Sequence, residues 1–380
     1  MIKRILTVTA TLLLIPLFNI QACANENPVA QQYYEEQFEA SGASELSDYL
    51  DKETKAYLEK IGCSEADKES IMSFSLKSVF DVLLDMLRTN IAEPLKGCLT
   101  ACGAVMLVSV CAGFFPDDEK TKGVLNLICG SFVTVSVFVP AVSALRSGVS
   151  AMTLCAGFEK ALIPVLAAVL TVSGNPSTAL SYQGAAFSAA QAVEAFAENT
   201  VLPLTLITGV IGAVGAFLPT LKLSAVSDLL RKTTQTVTGI VASLFTGFIA
   251  MKNIVAGSAD TLTAKGIRLV TGAFVPVVGG ALNEAYSALS GSLSLLKSVV
   301  GVYGIIAVAA MVVPSIISLA LWVLAMRAAG TVSELLGNSQ CSEILKNISY
   351  MFSMLNAMLI FSAAVFILSS GMVVGLKTGG

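Results

Sequence analysis

Long uncharged apolar runs dominate the chain from Leu95 onward. Six runs of at least 19 residues contain no Asp, Glu, Lys or Arg: Gly97–Phe115, Gly123–Leu145, Asn199–Leu221, Thr233–Met251, Ser298–Met326 and Asn347–Leu376. An α-helix rises about 1.5 Å per residue, so each run can cross a hydrocarbon core of roughly 30 Å. The pattern predicts an all-α, polytopic transmembrane domain over residues 95–380.

One further apolar region is interrupted by a turn sequence. Ala161–Val193 is uncharged, but Ser173-Gly174-Asn175-Pro176 combines four residues that favour turns. The region therefore predicts a helical hairpin, with Ser147–Val172 as one leg and Ser177–Val193 as the other.

Two shorter segments follow. Leu269–Asn283 has 15 residues and contains Pro276 and Gly279, which favours a re-entrant or interfacial segment over a span. Ala285–Leu296 is a Ser- and Leu-rich amphipathic piece. With the six clear runs and the hairpin, we expect a bundle of seven or eight spans.

The N-terminus is typical of a secretory signal peptide over residues 1–24. Lys3 and Arg4 precede the uncharged core Ile5–Ile20, and Ala22-Cys23-Ala24 fits a small-residue cleavage site. An uncleaved signal anchor is the main alternative, because the core is slightly long. Lipid attachment at Cys23 is a weaker one.

Residues 25–94 differ in composition from the rest of the chain. They contain 15 acidic and 6 basic residues, a net charge of 6 − 15 = −9. We expect an acidic, helical extracytoplasmic segment that is unsuited to nucleic acid or an anionic lipid surface. Basic residues beyond residue 94 divide almost evenly between the two sides of the bilayer, so this orientation depends on the signal sequence alone.

An amphipathic helix closes the acidic segment. Met72, Leu76, Val79, Leu83 and Met86 recur at helical spacing, and charged residues occupy the opposite face. The helix is predicted to end before the first span, at the Glu93-Pro94 pair. It either packs on its own small domain or on neighbouring spans, or it binds an interface or a partner.

Composition excludes most enzyme classes. Hydrophobic residues make up 55% of the chain, charged residues only 13%, and histidine is absent. Without histidine the commonest general base and metal ligand are missing. We expect no enzyme activity and no catalytic, cofactor-binding or metal residues. Cys98 and Cys102 share a helix face and could form a ligand pair, but packing is the commoner role of membrane cysteines.

Polar residues inside apolar regions are the candidates for function, because burying them is unfavourable. Glu194 and Glu198 stand at i and i+4 and could form a cation or proton site, or lie at a helix start in the headgroup zone. Glu159 and Lys160 are adjacent, so they point about 100° apart on a helix; each therefore needs another partner or lies at an interface.

Glycines recur at close spacing in three runs: Gly209, Gly212 and Gly215; Gly301 and Gly304; Gly371 and Gly375. Small residues at such spacing let helices approach closely in lipid. They support a compact bundle or a homo-oligomer.

The most specific blocks lie at residues 268–279, RLVTGAFVPVVG, and 296–304, LKSVVGVYG. Val201-Leu202-Pro203-Leu204 opens a run, and Leu229-Leu230-Arg231 lies in a predicted connection. With the signal and the acidic exported segment, these features resemble the stage III sporulation protein AE family of endospore-forming bacteria. The first 95 residues resemble the family in layout more than in sequence.

The resemblance implies a non-enzymatic membrane subunit of a complex made in the mother cell during engulfment. That complex, related in parts to secretion machinery, would join a forespore protein to form a channel across two membranes and support forespore development. It implies partners among other stage III sporulation membrane proteins and, indirectly, in the forespore membrane. The chain would lie in the mother-cell membrane around the forespore, with its N-terminal segment extracytoplasmic.

A secondary transporter is the alternative. Its midplane site would form where the broken helices at Ser173–Pro176 and Pro276–Gly279 meet. No convincing inverted repeat relates the two halves of the chain, and few buried charges are available to couple an ion.

Overall fold

The computed structural model describes residues 28–72, 76–114, 119–217, 223, 225–245, 247 and 279–375. Almost all of these residues are helical and none lies in a β-strand, which confirms the all-α class. The helices are α1 (Pro28–Ala40), α2 (Lys52–Ile61), α3 (Lys68–Met72), α4 (Leu76–Asn90), α5 (Ala92–Gly113), α6 (Glu119–Val172), α7 (Pro176–Phe196), α8 (Leu202–Phe217), α9 (residues 225–245), α10 (Gly279–Leu335) and α11 (Ser339–Gly375). A 3-10 helix covers Ala43–Tyr49, and a π-helical turn covers Ala197–Val201.

Five stretches of the described chain are long and apolar enough to cross a membrane: Lys77–Gly113, Gly123–Val172, Pro176–Gly215, Ser290–Leu335 and Ser339–Gly371. They support a polytopic helical membrane protein, but the expected seven or eight spans are not confirmed. Runs that a charged residue separates in the sequence belong to one helix here, because a single charge does not break a helix.

The longest helices illustrate this continuity. Gly123–Leu145 and Ser147–Val172 both lie in α6, whose 54 residues extend for about 80 Å at 1.5 Å per residue. Ala285–Leu296 is likewise continuous with Ser298–Met326 in α10. Each of these helices is more than twice the thickness of a hydrocarbon core of roughly 30 Å.

The predicted turn between α6 and α7 is confirmed. Gly174 adopts a φ of 81°, which favours glycine, and Pro176 begins α7. The Gly174 amide donates to the Thr171 carbonyl at 3.1 Å and the Asn175 amide donates to the Leu170 carbonyl at 3.0 Å, which satisfies two of the last carbonyls of α6. The hairpin legs are longer than predicted, because α6 begins at Glu119 and α7 continues through the π-turn into α8.

The core lies around α10 and its partner α11, which are joined by a turn at Gly337 with a φ of 78°. Trp322 and Phe352 stack across the two helices with ring centroids 5.3 Å apart. Residues 299–308 of α10 are all buried, whereas many residues beyond 312 are partly exposed. Residues 299–308 of α10 are therefore enclosed by other helices on every side.

The N-terminal segment packs on α10 as well. Ala43, Leu46 and Leu58 are at most 1% exposed and belong to the same core cluster as α6 and α10. Gly42, with a φ of 77°, brings the chain beside Val165 of α6. The extracytoplasmic location of residues 25–94 stays a prediction, but residues 28–72 dock against the bundle.

Helix α4 packs on neighbouring helices, which is one of the two readings that the sequence left open; binding to an interface or a partner stays a prediction. On its predicted apolar face, Met86 is buried and Val79 packs against the core. A second row, Phe80, Leu84 and Leu87, is exposed, with Phe80 at 62%. The helix packs on neighbouring helices and also presents an apolar stripe outward.

Four of the predicted glycine contacts are present. A methyl group would overlap Met351 at residue 209, Asn347 at 212, Val374 at 301 and Leu162 at 304. Gly371 faces open space instead. These glycines serve packing within the chain, so they no longer argue for a homo-oligomer.

One smaller prediction is wrong: Leu229-Leu230-Arg231 lies inside α9, not in a connection. Val201–Leu204 stands at the start of α8, which begins at Leu202, although the apolar stretch that includes α8 begins earlier, at Pro176. The signal peptide at residues 1–24 and the Pro276 region lie outside the described residues.

Candidate functional site

A small cavity of about 50 Å³ lies where α6, α7, α8 and α11 meet. Its wall is mostly aliphatic and includes three methionines. Its polar lining residues are Thr153, Glu159, Glu194, Glu198, Thr205 and Ser362. We call it the acidic cavity; its volume has room for a few water molecules or one ion.

An ion pair joins α6 to α7 beside the cavity. The Lys160 ammonium donates to Glu194, with Nζ and Oε2 2.7 Å apart. The Lys160 side chain is 39% exposed and that of Glu194 is 24% exposed. The prediction that Lys160 pairs with a residue other than Glu159 is confirmed, and the charge of Glu194 is neutralised by this contact.

Glu159 is the most buried carboxylate of the cavity, at 5% exposed. The Cys155 thiol, one helical turn earlier, donates to Glu159 Oε1 at 3.5 Å. A thiol is a weak donor, so this contact stabilises an ionised carboxylate little. A buried carboxylate without a close cation costs several kcal/mol to ionise, so Glu159 favours a bound proton or cation.

The π-turn Ala197–Val201 sets the position of Glu198. The Leu202 amide donates to the Ala197 carbonyl, five residues back, in place of the usual fourth. Pro203 explains this widening, because its ring would clash with the carbonyl of Asn199 and it has no amide hydrogen. Single π-turns are frequent at functional sites in helices, and here the turn carries a carboxylate into the cavity wall.

Thr205 follows this turn and differs from its neighbour Thr208. The Thr208 hydroxyl donates to the Leu204 carbonyl at 2.6 Å, the usual bond of a threonine in a helix. Thr205 is 4% exposed, and its hydroxyl has no hydrogen-bond partner among the described residues. The carbonyl it would use belongs to Val201, inside the π-turn. Thr205 therefore lines the cavity with an unused hydroxyl.

This arrangement is suited to binding a small ligand. The polar groups are carboxylates and hydroxyls, the hard oxygen ligands that suit protons and alkali cations. Among the described residues, no group of three or more Cys, Asp or Glu side chains is arranged to hold a metal ion, so a cation here would have a single charged ligand. We regard the cavity as a candidate site for one small cation of low charge.

The sequence anticipated part of this site. Glu159, Lys160, Glu194 and Glu198 were singled out as polar residues at membrane depth, and the fold brings all four together. Cys98 and Cys102 lie on α5 and do not line the cavity. Thr205 was missed; its only signal is Pro203 two residues earlier, which disturbs the helix.

A second polar cluster fastens α9 to α11 near the cavity. Arg231 donates from Nη2 to Asn347 Oδ1, and its guanidinium lies 4.7 Å from the ring centroid of Tyr350. Asn347 fits against Gly212 of α8, where a methyl group would overlap its carboxamide. This cluster has a structural role and fixes the part of α11 that carries Met351.

Comparison with known proteins identifies the family. The model of the stage III sporulation protein AE family matches residues 64–377. The chain belongs to this family. The match includes the acidic cavity and every span-capable stretch of the described chain. The family's name places the chain in sporulation, in agreement with the resemblance seen in residues 268–304.

A curated relative supports the assignment. Stage III sporulation protein AE of Bacillus subtilis (strain 168) is 25% identical over 237 residues, which cover 60% of this chain and 59% of the relative. The alignment thus spans somewhat more than half the length of that relative. No solved structure matches the chain.

Proposed function

We propose that this chain is a non-enzymatic, integral membrane subunit of a secretion-like channel complex that links mother cell and forespore during engulfment and is required for forespore development. The family match over residues 64–377 carries the proposal. The described span-capable helices support a membrane setting. We propose that this membrane is the mother-cell membrane around the forespore.

The outer surface of the helices supports contacts with lipid and other subunits. Large apolar side chains are exposed on several helices: Leu99, Leu107, Phe132, Val135 and Leu244. A surface of this kind needs an apolar environment. We propose other stage III sporulation membrane proteins as direct partners and a forespore membrane protein as an indirect one.

Deletion of the gene in its own host tests the role. We expect loss of heat-resistant spores and of a late forespore reporter, with an early forespore reporter unchanged and both defects restored by a copy supplied in trans. Normal spore yield in the deletion strain would refute the proposal.

Impermeant thiol labelling of intact cells tests the proposed topology. Gln32 and Ser44 are exposed on the N-terminal segment, so cysteines placed there should react before lysis if this segment is extracytoplasmic. Native Cys63 adds little background, because burial, and then Asp67, raise the pKa of its thiol to about 12. Labelling of the Gln32→Cys and Ser44→Cys variants only after lysis would reverse the topology.

The secondary transporter remains the weaker proposal. One of the two helix breaks on which it depends, Pro276–Gly279, lies almost wholly outside the described residues, and the family match favours a sporulation role. Location of the gene in a sporulation operon would support the subunit, whereas a lone gene in a non-sporulating genome would support the transporter.

A further inference from the structure

The charges around Glu159 do not balance within the protein. On its own helix it is accompanied by Lys160 and the Cys155 thiol; Glu194 and Tyr182 face it from α7. Glu198 also lines the cavity from the π-turn, but it is exposed, so its charge does not enter the buried balance. Lys160 already neutralises Glu194 at 2.7 Å, which leaves one uncompensated negative charge when the buried Glu159 is ionised.

No other helix supplies the missing positive charge to the described cavity wall. The side chains that α11 contributes are Met351, Leu355, Met358 and Ser362, and α8 contributes Leu202, Thr205 and Leu206. In such aliphatic surroundings a free carboxylate is unfavourable. The wall needs one positive charge near Glu159.

Thr205 gives an independent indication of a ligand. Its side chain is 4% exposed, lines the cavity, and has a hydroxyl oxygen without a partner among the described residues. A buried hydroxyl normally has a hydrogen bond, because leaving it unmade costs about 1–3 kcal/mol. A bound ion or a proton carried on a neighbouring carboxyl would satisfy it.

We propose that the acidic cavity binds one monovalent cation, a sodium ion or a proton, with Glu159 as the charged ligand and Thr205 as a neutral oxygen ligand. The two cations compete, because each neutralises the same carboxylate. The cavity volume of about 50 Å³ accommodates one ion with a few waters and excludes a larger organic ligand. Binding is a property of the purified chain and does not depend on the proposed role in sporulation.

Thermal unfolding of the full chain in detergent micelles tests the proposal. The midpoint is measured over a range of sodium chloride concentrations at pH 6 and pH 8, with choline chloride holding ionic strength constant. We expect a midpoint that rises with sodium at pH 8 and rises less at pH 6, where protons compete. A response to pH without a response to sodium would assign the site to a proton.

Three variants distinguish cation binding at the acidic cavity from general effects of salt and pH on stability. Glu159→Gln should abolish both responses. Thr205→Val, which keeps the shape of the side chain, should weaken apparent affinity about tenfold through loss of one oxygen ligand. Glu334→Gln removes a carboxylate from an exposed ion pair far along the chain and should respond like the wild type.

Unaltered sodium and pH responses in Glu159→Gln would overturn the proposal, as would a wild-type midpoint that depends on neither cation. Should Glu159→Gln fail to give monodisperse protein, Thr205→Val decides in its place. Wild-type affinity in that variant would then refute the site.

Discussion

Two lysine–glutamate pairs of nearly equal length lie in different parts of the bundle. Lys160 and Glu194 are 2.7 Å apart beside the acidic cavity, and Lys346 and Glu334 are 2.9 Å apart near the α10–α11 turn. The two lysines are similarly exposed, at 39% and 48%, but the glutamates differ, at 24% and 61%. From contact geometry alone, the two pairs would be expected to contribute equally to stability.

The two ion pairs differ in their surroundings. Glu334 is mostly in solvent, so water can replace its partner, and exposed pairs contribute about 0–1 kcal/mol. Lys160 is the only basic side chain beside the three carboxylates that line the described cavity. The contribution of an ion pair to stability therefore depends on which charges and how much solvent surround each partner when the other is removed.

Replacement of each lysine by methionine should give the largest difference. We expect Lys160→Met to lower the free energy of unfolding by about 2 kcal/mol, because the penalty for a broken buried pair is reduced by partial exposure. Lys346→Met should change it by less than about 0.5 kcal/mol. Reversible denaturation in mixed micelles provides the measurement.

The double variant Lys160→Met/Glu194→Gln is the control, and it should recover part of the loss because no unpaired charge remains at residue 194. Equal effects of the two single lysine substitutions would contradict the comparison.

The same comparison can be made for packing around glycines, where we expect somewhat smaller changes in the free energy of unfolding. A methyl group at residue 212 would displace Asn347 and with it the bond to Arg231, so Gly212→Ala should lower stability by about 1–2 kcal/mol. At Gly330, near the α10–α11 turn, an added methyl group would lie 3.6 Å from its nearest side-chain neighbour, Leu345 Cβ. Gly330→Ala should be neutral or should stabilise by up to about 1 kcal/mol through helix propensity. A larger loss at 330 than at 212 would show that the contacts are misassigned.

The sequence predicted the elements better than it predicted their continuity. Uncharged runs, the Ser173–Pro176 turn and the glycine contacts all follow from local composition. The continuity of α6 past Arg146 does not, because a span count treats each charge as a boundary whereas a helix of sufficient length can carry it.

The site was predictable in its residue types but not in its pairings. Glu159 and Lys160 were recognisable as unpaired neighbours, yet the partner of Lys160 lies 34 residues away across a helical hairpin. Thr205 was unpredictable for another reason: whether the hydroxyl of a helical threonine bonds the carbonyl one turn earlier depends on local geometry, and this hydroxyl has no partner among the described residues. Three-dimensional geometry decides both features.

Two buried cysteines provide a test of the contact between α6 and the start of α11. Cys129 on α6 and Cys341 on α11 have sulfur atoms 3.4 Å apart. Copper-phenanthroline oxidation should join them, so that fragments cleaved between residues 129 and 341 stay linked on a non-reducing gel. Cys155, beside the acidic cavity, faces Glu159 and should form no crosslink. A Cys129→Ser variant that still crosslinks would refute the assigned contact.

Ionic strength should produce the smallest effect and the most direct separation of the two pairs. Double-mutant cycles would measure the coupling energy of each pair at low and high choline chloride, a salt that avoids the proposed sodium site. The coupling energy of Lys346 and Glu334 should fall by about 0.3 kcal/mol, because solvent ions screen exposed charges. The coupling of Lys160 to Glu194 should fall less, since the aliphatic wall keeps counterions away. Equal salt dependence would mean that solvent reaches both pairs alike, and it would contradict the claim that the cavity wall shields Lys160 and Glu194 from solvent ions.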